Sequence, residues 1–240
     1  FEHPELPEPD RRIEFRLESG RVRDMRDDKG HPIDVVSLEP EQISAFYDED
    51  REQRDLVVMA DVPDHLVGAI YAIEDRRFEE HNGVDLRRIA GALLANVRAG
   101  GIREGGSTLT QQLVKNFFLT PERTLERKIQ EAAMSLLVEA RYEKPAIFEA
   151  YLNEIYLGQR GPTSIHGVGE ASLFYFGKPV RSLGLADAAL LAGLIRSPGD
   201  YSPFLHPEAA HARRDLVLRL MHEQDRIDTA AFEAARKAPL

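Results

Sequence analysis

Twelve consecutive residues, Glu74-Asp75-Arg76-Arg77-Phe78-Glu79-Glu80-His81-Asn82-Gly83-Val84-Asp85, gather carboxylates, guanidinium groups and an imidazole in one short stretch. The segment before it, 63–73, reads as an amphipathic helix with Leu66, Ile70 and Ile73 at i, i+4 and i+7. Glu74 falls at i+8, on the same stripe, and Phe78 and His81 follow it at i+4 and i+7. A carboxylate on an apolar face is either paired or raised in pKa, and a raised pKa suits a general base near neutral pH. Two readings of Glu74 therefore stand: a proton acceptor, or half of a buried ion pair with Arg76 or Arg77.

Two further clusters could carry chemistry. Gly105-Gly106-Ser107 precedes Thr108-Leu109-Thr110-Gln111-Gln112-Leu113-Val114-Lys115-Asn116. Ser107 suits an N-cap behind a glycine pair, and a helix start there offers N–H groups to an anion. The Gly-Lys-Ser/Thr order of a P-loop is missing. Thr108, Gln112 and Lys115 lie at i, i+4 and i+7, so one face presents a hydroxyl, an amide and a cation. That pattern fits a ligand and an ordinary solvated face alike. The next helix contains Arg127-Lys128-Ile129-Gln130-Glu131, with a core stripe expected at Leu125, Ile129, Ala132 and Leu136. Arg127 and Glu131 lie opposite that stripe, and Met134 and Val138 continue their side. The pair is either one wall of a half-buried cleft or a surface pair worth about 0.3–0.5 kcal/mol. Lys144, Tyr151-Leu152-Asn153, Gly158 and Tyr175-Phe176 read as packing and turn chemistry.

The elements that must position these groups are mainly α. Helices are predicted over 63–76, 85–98, 107–118, 122–141, 144–156, 166–175, 185–195, 207–223 and 228–237. Short strands are predicted at 12–18, 35–38 and 56–59, after a Pro- and acid-rich linker at 1–12. This gives a small β-containing N-terminal segment, 1–62, and a helical domain, 63–240. A net charge of −10 over 240 residues argues against a general nucleic-acid binder. The lack of cysteine excludes disulfides, thiolate metal sites and cysteine nucleophiles. No apolar run is long enough for a membrane span. No signal peptide is present and the first residue is Phe1, so the chain reads as a piece of a longer protein.

Taken in order, these segments resemble the five motifs of glycosyltransferase family 51, the peptidoglycan glycosyltransferase domain of class A penicillin-binding proteins and monofunctional transglycosylases. The matching residues are Glu74-Asp75-x-x-Phe78-x-x-His81-x-Gly83-x-Asp85, Gly105-Gly106-Ser107-Thr108-x-Thr110-Gln111-Gln112-Leu113-x-Lys115-Asn116, Arg127-Lys128-x-x-Glu131, Tyr151-Leu152-Asn153 to Gly158, and the Tyr175 to Pro203 region. The resemblance covers residues 63 to 223, and residues 12–62 are similar to the connecting segment of 1B-type members. The β-lactam-reactive Ser-x-x-Lys and Lys-Thr-Gly signatures do not occur.

The resemblance implies a lysozyme-like helical fold and a polymerase of lipid II. The growing chain would be the donor, its undecaprenyl pyrophosphate the leaving group, and transfer would invert the anomeric carbon. It makes Glu74 the general base and Glu131 a second essential carboxylate. Lys115, Arg127 and Lys128 would be phosphate-side cations, helped by Ser107, Thr108, Gln111 and Gln112. Asp75, Phe78, His81 and Asn116 are carried over as further substrate-site residues. No cofactor is required and no metal ligands are assigned, although Mg or Mn could accompany the pyrophosphate. The implied partners are lipid II and the growing glycan, the membrane surface, moenomycin-type inhibitors and cell-wall regulators. The implied location is the periplasmic face of the bacterial inner membrane, with Leu93, Leu94, Val97, Ile102, Phe117 and Phe118 as candidates for immersion. Competing readings are a lysozyme-like glycan hydrolase, which uses two carboxylates and water, and a non-catalytic scaffold for wall assembly.

Overall fold

The computed structural model describes residues 14–18, 21–26, 31, 52–53, 55–99, 106–119 and 124–240. They fall into two compact units, 1–46 and 47–240. In the first, β1 (Glu14–Glu18) pairs antiparallel with β2 (Arg21–Arg26). The predicted linker at 1–12 and strand at 35–38 lie outside the described residues.

The second unit is mostly helical. It runs through α1 (Asp64–Glu74), α2 (Leu86–Ala99), α3 (Leu109–Phe118), α4 (Leu125–Arg141) and α5 (Lys144–Glu154). After a hairpin come α6 (Gly167–Phe176), α7 (Leu185–Leu194), α8 (Pro207–Glu223) and α9 (Thr229–Lys237). In the hairpin, β4 (Tyr156–Arg160) and β5 (Thr163–His166) pair antiparallel, and β3 (Glu52–Gln53) adds to β5 in parallel. Among the described residues, no helix is long and apolar enough to cross a membrane. The core forms where α1, with Leu66 and Ile70 fully buried, meets α7, α8 and the inner faces of α3 and α5. The predicted stripe on α1 therefore faces inward as its spacing requires.

Three expectations need correction. The predicted strand at 56–59 is extended chain leading into a single 3₁₀ turn, Met59–Asp61. Its ladder is replaced by two side chains of α5: Val57 N–H donates to Asn153 Oδ1 (2.8 Å), Val57 O accepts from Asn153 Nδ2 (2.9 Å), and Met59 N–H donates to Glu149 Oε2 (2.7 Å). Val57 and Val62 are buried in the helical core, so residues 47–62 belong with the second unit rather than with the N-terminal segment.

The third is the orientation of α4. Leu125 (86% exposed), Ile129 (71%) and Leu136 (50%) face outward, while Glu131 and Ser135 are buried. The helix is turned so that its polar face packs on the protein, because that face is where its bonding partners lie.

Candidate active site

α1 stops at Glu74 because Asp75 leaves helical geometry (φ −160°) and buries its carboxylate. Asp75 Oδ2 accepts from Leu109 N–H at the start of α3 (3.1 Å) and lies 2.9 Å from His81 Nε2. A carboxylate at a helix N-terminus is favoured by the free N–H groups and the helix dipole. Arg88 lies 3.5 Å from the other oxygen. The N-cap of α3 is Thr108, one residue later than predicted. Its hydroxyl accepts from Gln111 N–H (3.1 Å) and donates to Gly83 O (2.6 Å), and Gln111 Oε1 accepts from Thr108 N–H (3.0 Å). Gly83 adopts φ +87°, and a Cβ there would lie 2.6 Å from Ser135 O on α4. Only glycine lets the turn approach α4 so closely.

Glu74 itself is half-buried and opens onto a cleft of about 1140 Å³. Its Oε2 accepts from Gln112 Nε2 (2.9 Å), and Gln112 Oε1 faces Tyr151 OH (3.2 Å). Burial pushes the Tyr151 phenol well above its ordinary pKa, and the charges of Glu74 and Asp75 push the same way. Tyr151 therefore stays a donor, which fixes Gln112 with its N–H toward Glu74. Among the described residues, Glu74 makes no ion pair with Arg76 or Arg77, the alternative reading of its place on the stripe. Arg77 instead forks onto Asp85, with Nε 3.0 Å from Oδ2, and Arg76 is exposed.

Glu131 lies behind this cleft. Arg127 Nη1 donates to its Oε2 (3.0 Å), and Lys128 Nζ donates to its Oε1 and to Ser107 Oγ (2.7 Å). Ser107 reaches the cleft lining, so Lys128 ties α4 to the rim. The structure thus brings Glu74, Asp75, Ser107, Gln112 and Lys115 to one cleft. Phe78 is fully buried against Tyr71 and Phe148. Thr108 and Gln111 are buried and bonded internally, and His81 is bonded to Asp75. Arg127 and Lys128 surround Glu131 rather than line the cleft, and Asn116 is exposed. The arrangement offers an oriented carboxylate beside cations, which suits deprotonation of a hydroxyl together with departure of an anion.

Residues 39–222 match a family model described as Transglycosylase. The chain belongs to the transglycosylase family. It is 42% identical over 241 residues to penicillin-binding protein 1B of Vibrio cholerae, covering 100% of this chain and 31% of that protein. The corresponding protein of Haemophilus influenzae is 44% identical, with 100% and 31% covered. That of Escherichia coli is 46% identical over 203 residues, with 85% and 24% covered. A crystal structure of penicillin-binding protein 1A from Haemophilus influenzae aligns with a TM-score of 0.48 at 25% identity, over 79% of this chain and 18% of that one. The chain spans about a quarter to a third of the length of these curated relatives. Peptidoglycan glycosyl transfer is the reaction class that comes with the transglycosylase family.

Among the cleft residues of this transglycosylase domain that the sequence does not point out are four arginines, Arg87, Arg88, Arg196 and Arg213. Arg213 is buried, donates from Nε to Gly193 O (3.2 Å) and lies over the Tyr201 ring at 5.3 Å. Burial pushes its guanidinium below its ordinary pKa, with Tyr201 and then Glu74 opposing. Arg196 and Arg213 lie far from Glu74 in sequence, so no local spacing could assign them. Arg87-Arg88 carried a readable signal: a basic pair in a helix first turn, where acids are favoured.

Proposed function

We propose that this domain transfers a lipid-pyrophosphate-linked glycan onto the 4-hydroxyl of lipid II, with inversion. The observation that carries the proposal is Glu74, held by Gln112, itself oriented by Tyr151, at the mouth of a cleft that also presents Lys115 and several arginines. Gln112 engages Oε2, which leaves Oε1 to accept the hydroxyl proton. The leaving pyrophosphate needs cations and polar donors, and Lys115 and Ser107 supply them on the α3 side of the cleft. Glu131 acts from behind by holding Arg127 and Lys128 in place. A hydrolase has less use for such a cluster, since a neutral sugar leaving group asks for an acid. The reading calls for no cofactor; a divalent cation would arrive with the pyrophosphate, whose oxygens are its natural ligands.

The lipid substrate asks for contact with a membrane surface. Support comes from the outward apolar residues of α4 (Leu125, Ile129, Leu137) and from Phe117, Phe118 and Leu86, all exposed. Leu93, Leu94 and Val97 have no described side chains, and Ile102 lies outside the described residues. On this reading the domain works at the outer face of the bacterial inner membrane, and a moenomycin-type phosphoglycolipid would compete for the cation side. The test is incubation with lipid II and resolution of the products. Long glycan strands with released undecaprenyl pyrophosphate support the proposal; short glycan fragments cut by water, or no product, overturn it.

A further inference from the structure

The first residue of α5 and the last turn of α4 both break a helix rule. Lys144 opens α5, where the dipole disfavours a cation, and Glu139 sits in the last turn of α4, where it disfavours an anion. Each charge is mostly buried: the Glu139 side chain is 3% exposed and that of Lys144 17%. Local helix chemistry accounts for neither, and such violations mark sites where another requirement dominates.

The two groups meet each other and the turn that carries Glu74. Lys144 Nζ lies 2.8 Å from Glu139 Oε2, donates to His81 O (2.6 Å), and stands 4.3 Å from the centre of the Phe78 ring. Glu139 Oε1 accepts from Thr110 Oγ1 on α3, two residues before Gln112. From Lys144, one path runs through His81 to Asp75, next to Glu74. A second runs through Glu139 and Thr110 to α3, whose Gln112 grips the Glu74 carboxylate.

We propose that Lys144 is a positioning residue: with Glu139 it fixes the 75–83 turn and α3 relative to each other, and so sets where Glu74 points in the cleft. Lys144 does not line the cleft, so substrate affinity does not depend on it directly. The inference rests on the transferase reading of the cleft.

The test compares Lys144→Met, which keeps the apolar stem, with Lys144→Arg, which keeps the charge. Lys144→Met should lower kcat for lipid II polymerisation by about 10- to 100-fold, the scale of a base displaced by ~1 Å. KM and moenomycin affinity should stay within about threefold, and Lys144→Arg should recover most of kcat. Hydrogen exchange should quicken in 75–83 and the first turn of α3 while α7 stays protected. A kcat within twofold of wild type, a parallel loss of kcat and moenomycin binding, or no recovery by arginine overturns the proposal. If Lys144→Met does not fold, Glu139→Gln is judged by the same split of kcat from KM, and an unchanged kcat overturns it. Absence of polymer from the wild-type protein fails the transferase reading itself, and this proposal falls with it.

Discussion

Thr108 resembles a substrate contact in sequence, yet in the structure its hydroxyl is fully spent inside the protein. It caps α3 through Gln111 N–H and donates to Gly83 O, with no exposed surface. Thr108→Ala removes both bonds. Loss of an N-cap hydroxyl costs about 1 kcal/mol. The stranded, buried Gly83 carbonyl adds roughly 1–3 kcal/mol, for a total near 3 kcal/mol. For a domain the size of 47–240, ~1 kcal/mol moves Tm by about 2–4 °C, so the expected fall is roughly 6–12 °C. Thr108→Ser, which keeps donor and acceptor, should recover most of it. Thermal melts followed by circular dichroism give the shift, and moenomycin binding measured well below the melt reports the site. Affinity should remain within about threefold of wild type, since no ligand bond is lost. A Tm shift below about 2 °C together with collapsed affinity would refute this reasoning and return Thr108 to the substrate.

Glu131→Gln should lower stability by roughly 2–3 kcal/mol in denaturant titrations, because Arg127 and Lys128 lose a buried counter-charge, and should weaken moenomycin by about tenfold. Lys115→Ala should leave Tm within about 2 °C yet weaken moenomycin by about 10- to 100-fold; unchanged affinity would remove Lys115 from the phosphate side. Asp85 offers a pH test. Burial raises its pKa, but the Arg88 N–H, the Arg77 hydrogen bond and the Arg77 charge outweigh that and hold it below the usual 3.8. Its contribution is complete above that value and drains as pH falls through the lower folded value, so Asp85→Asn should flatten the acid limb of the stability curve below about pH 4.

Much of this architecture is written in residue spacing. Helical periodicity locates the described α-helices of the second unit to within a few residues, and the Leu66–Ile70 stripe faces the core as predicted. The same rule misorients α4, because counting apolar residues ignores a polar face able to satisfy itself. Glu131 with two cations, and Ser135 against Gly83, bind that face inward and leave Leu125 and Ile129 outside. Glu74 follows a similar logic: at the last position of α1, its place on the stripe faces a cleft rather than the core, and the deeply buried carboxylate is Asp75. The β4–β5 hairpin lacks clean alternation, with burial along β4 running exposed, buried, buried, exposed, exposed. Arg213 reaches the cleft only because α8 packs on α1 and α7.

The central claim is that Glu74 takes the proton from the attacking hydroxyl, and the most direct measurement is lipid II polymerisation by Glu74→Gln. The amide keeps the shape and an acceptor oxygen but cannot hold the proton. Turnover should fall by about 10²–10⁴-fold while moenomycin still binds and the melt is unchanged. Polymerisation by Glu74→Gln at near wild-type rate would contradict the account and move the base to another group.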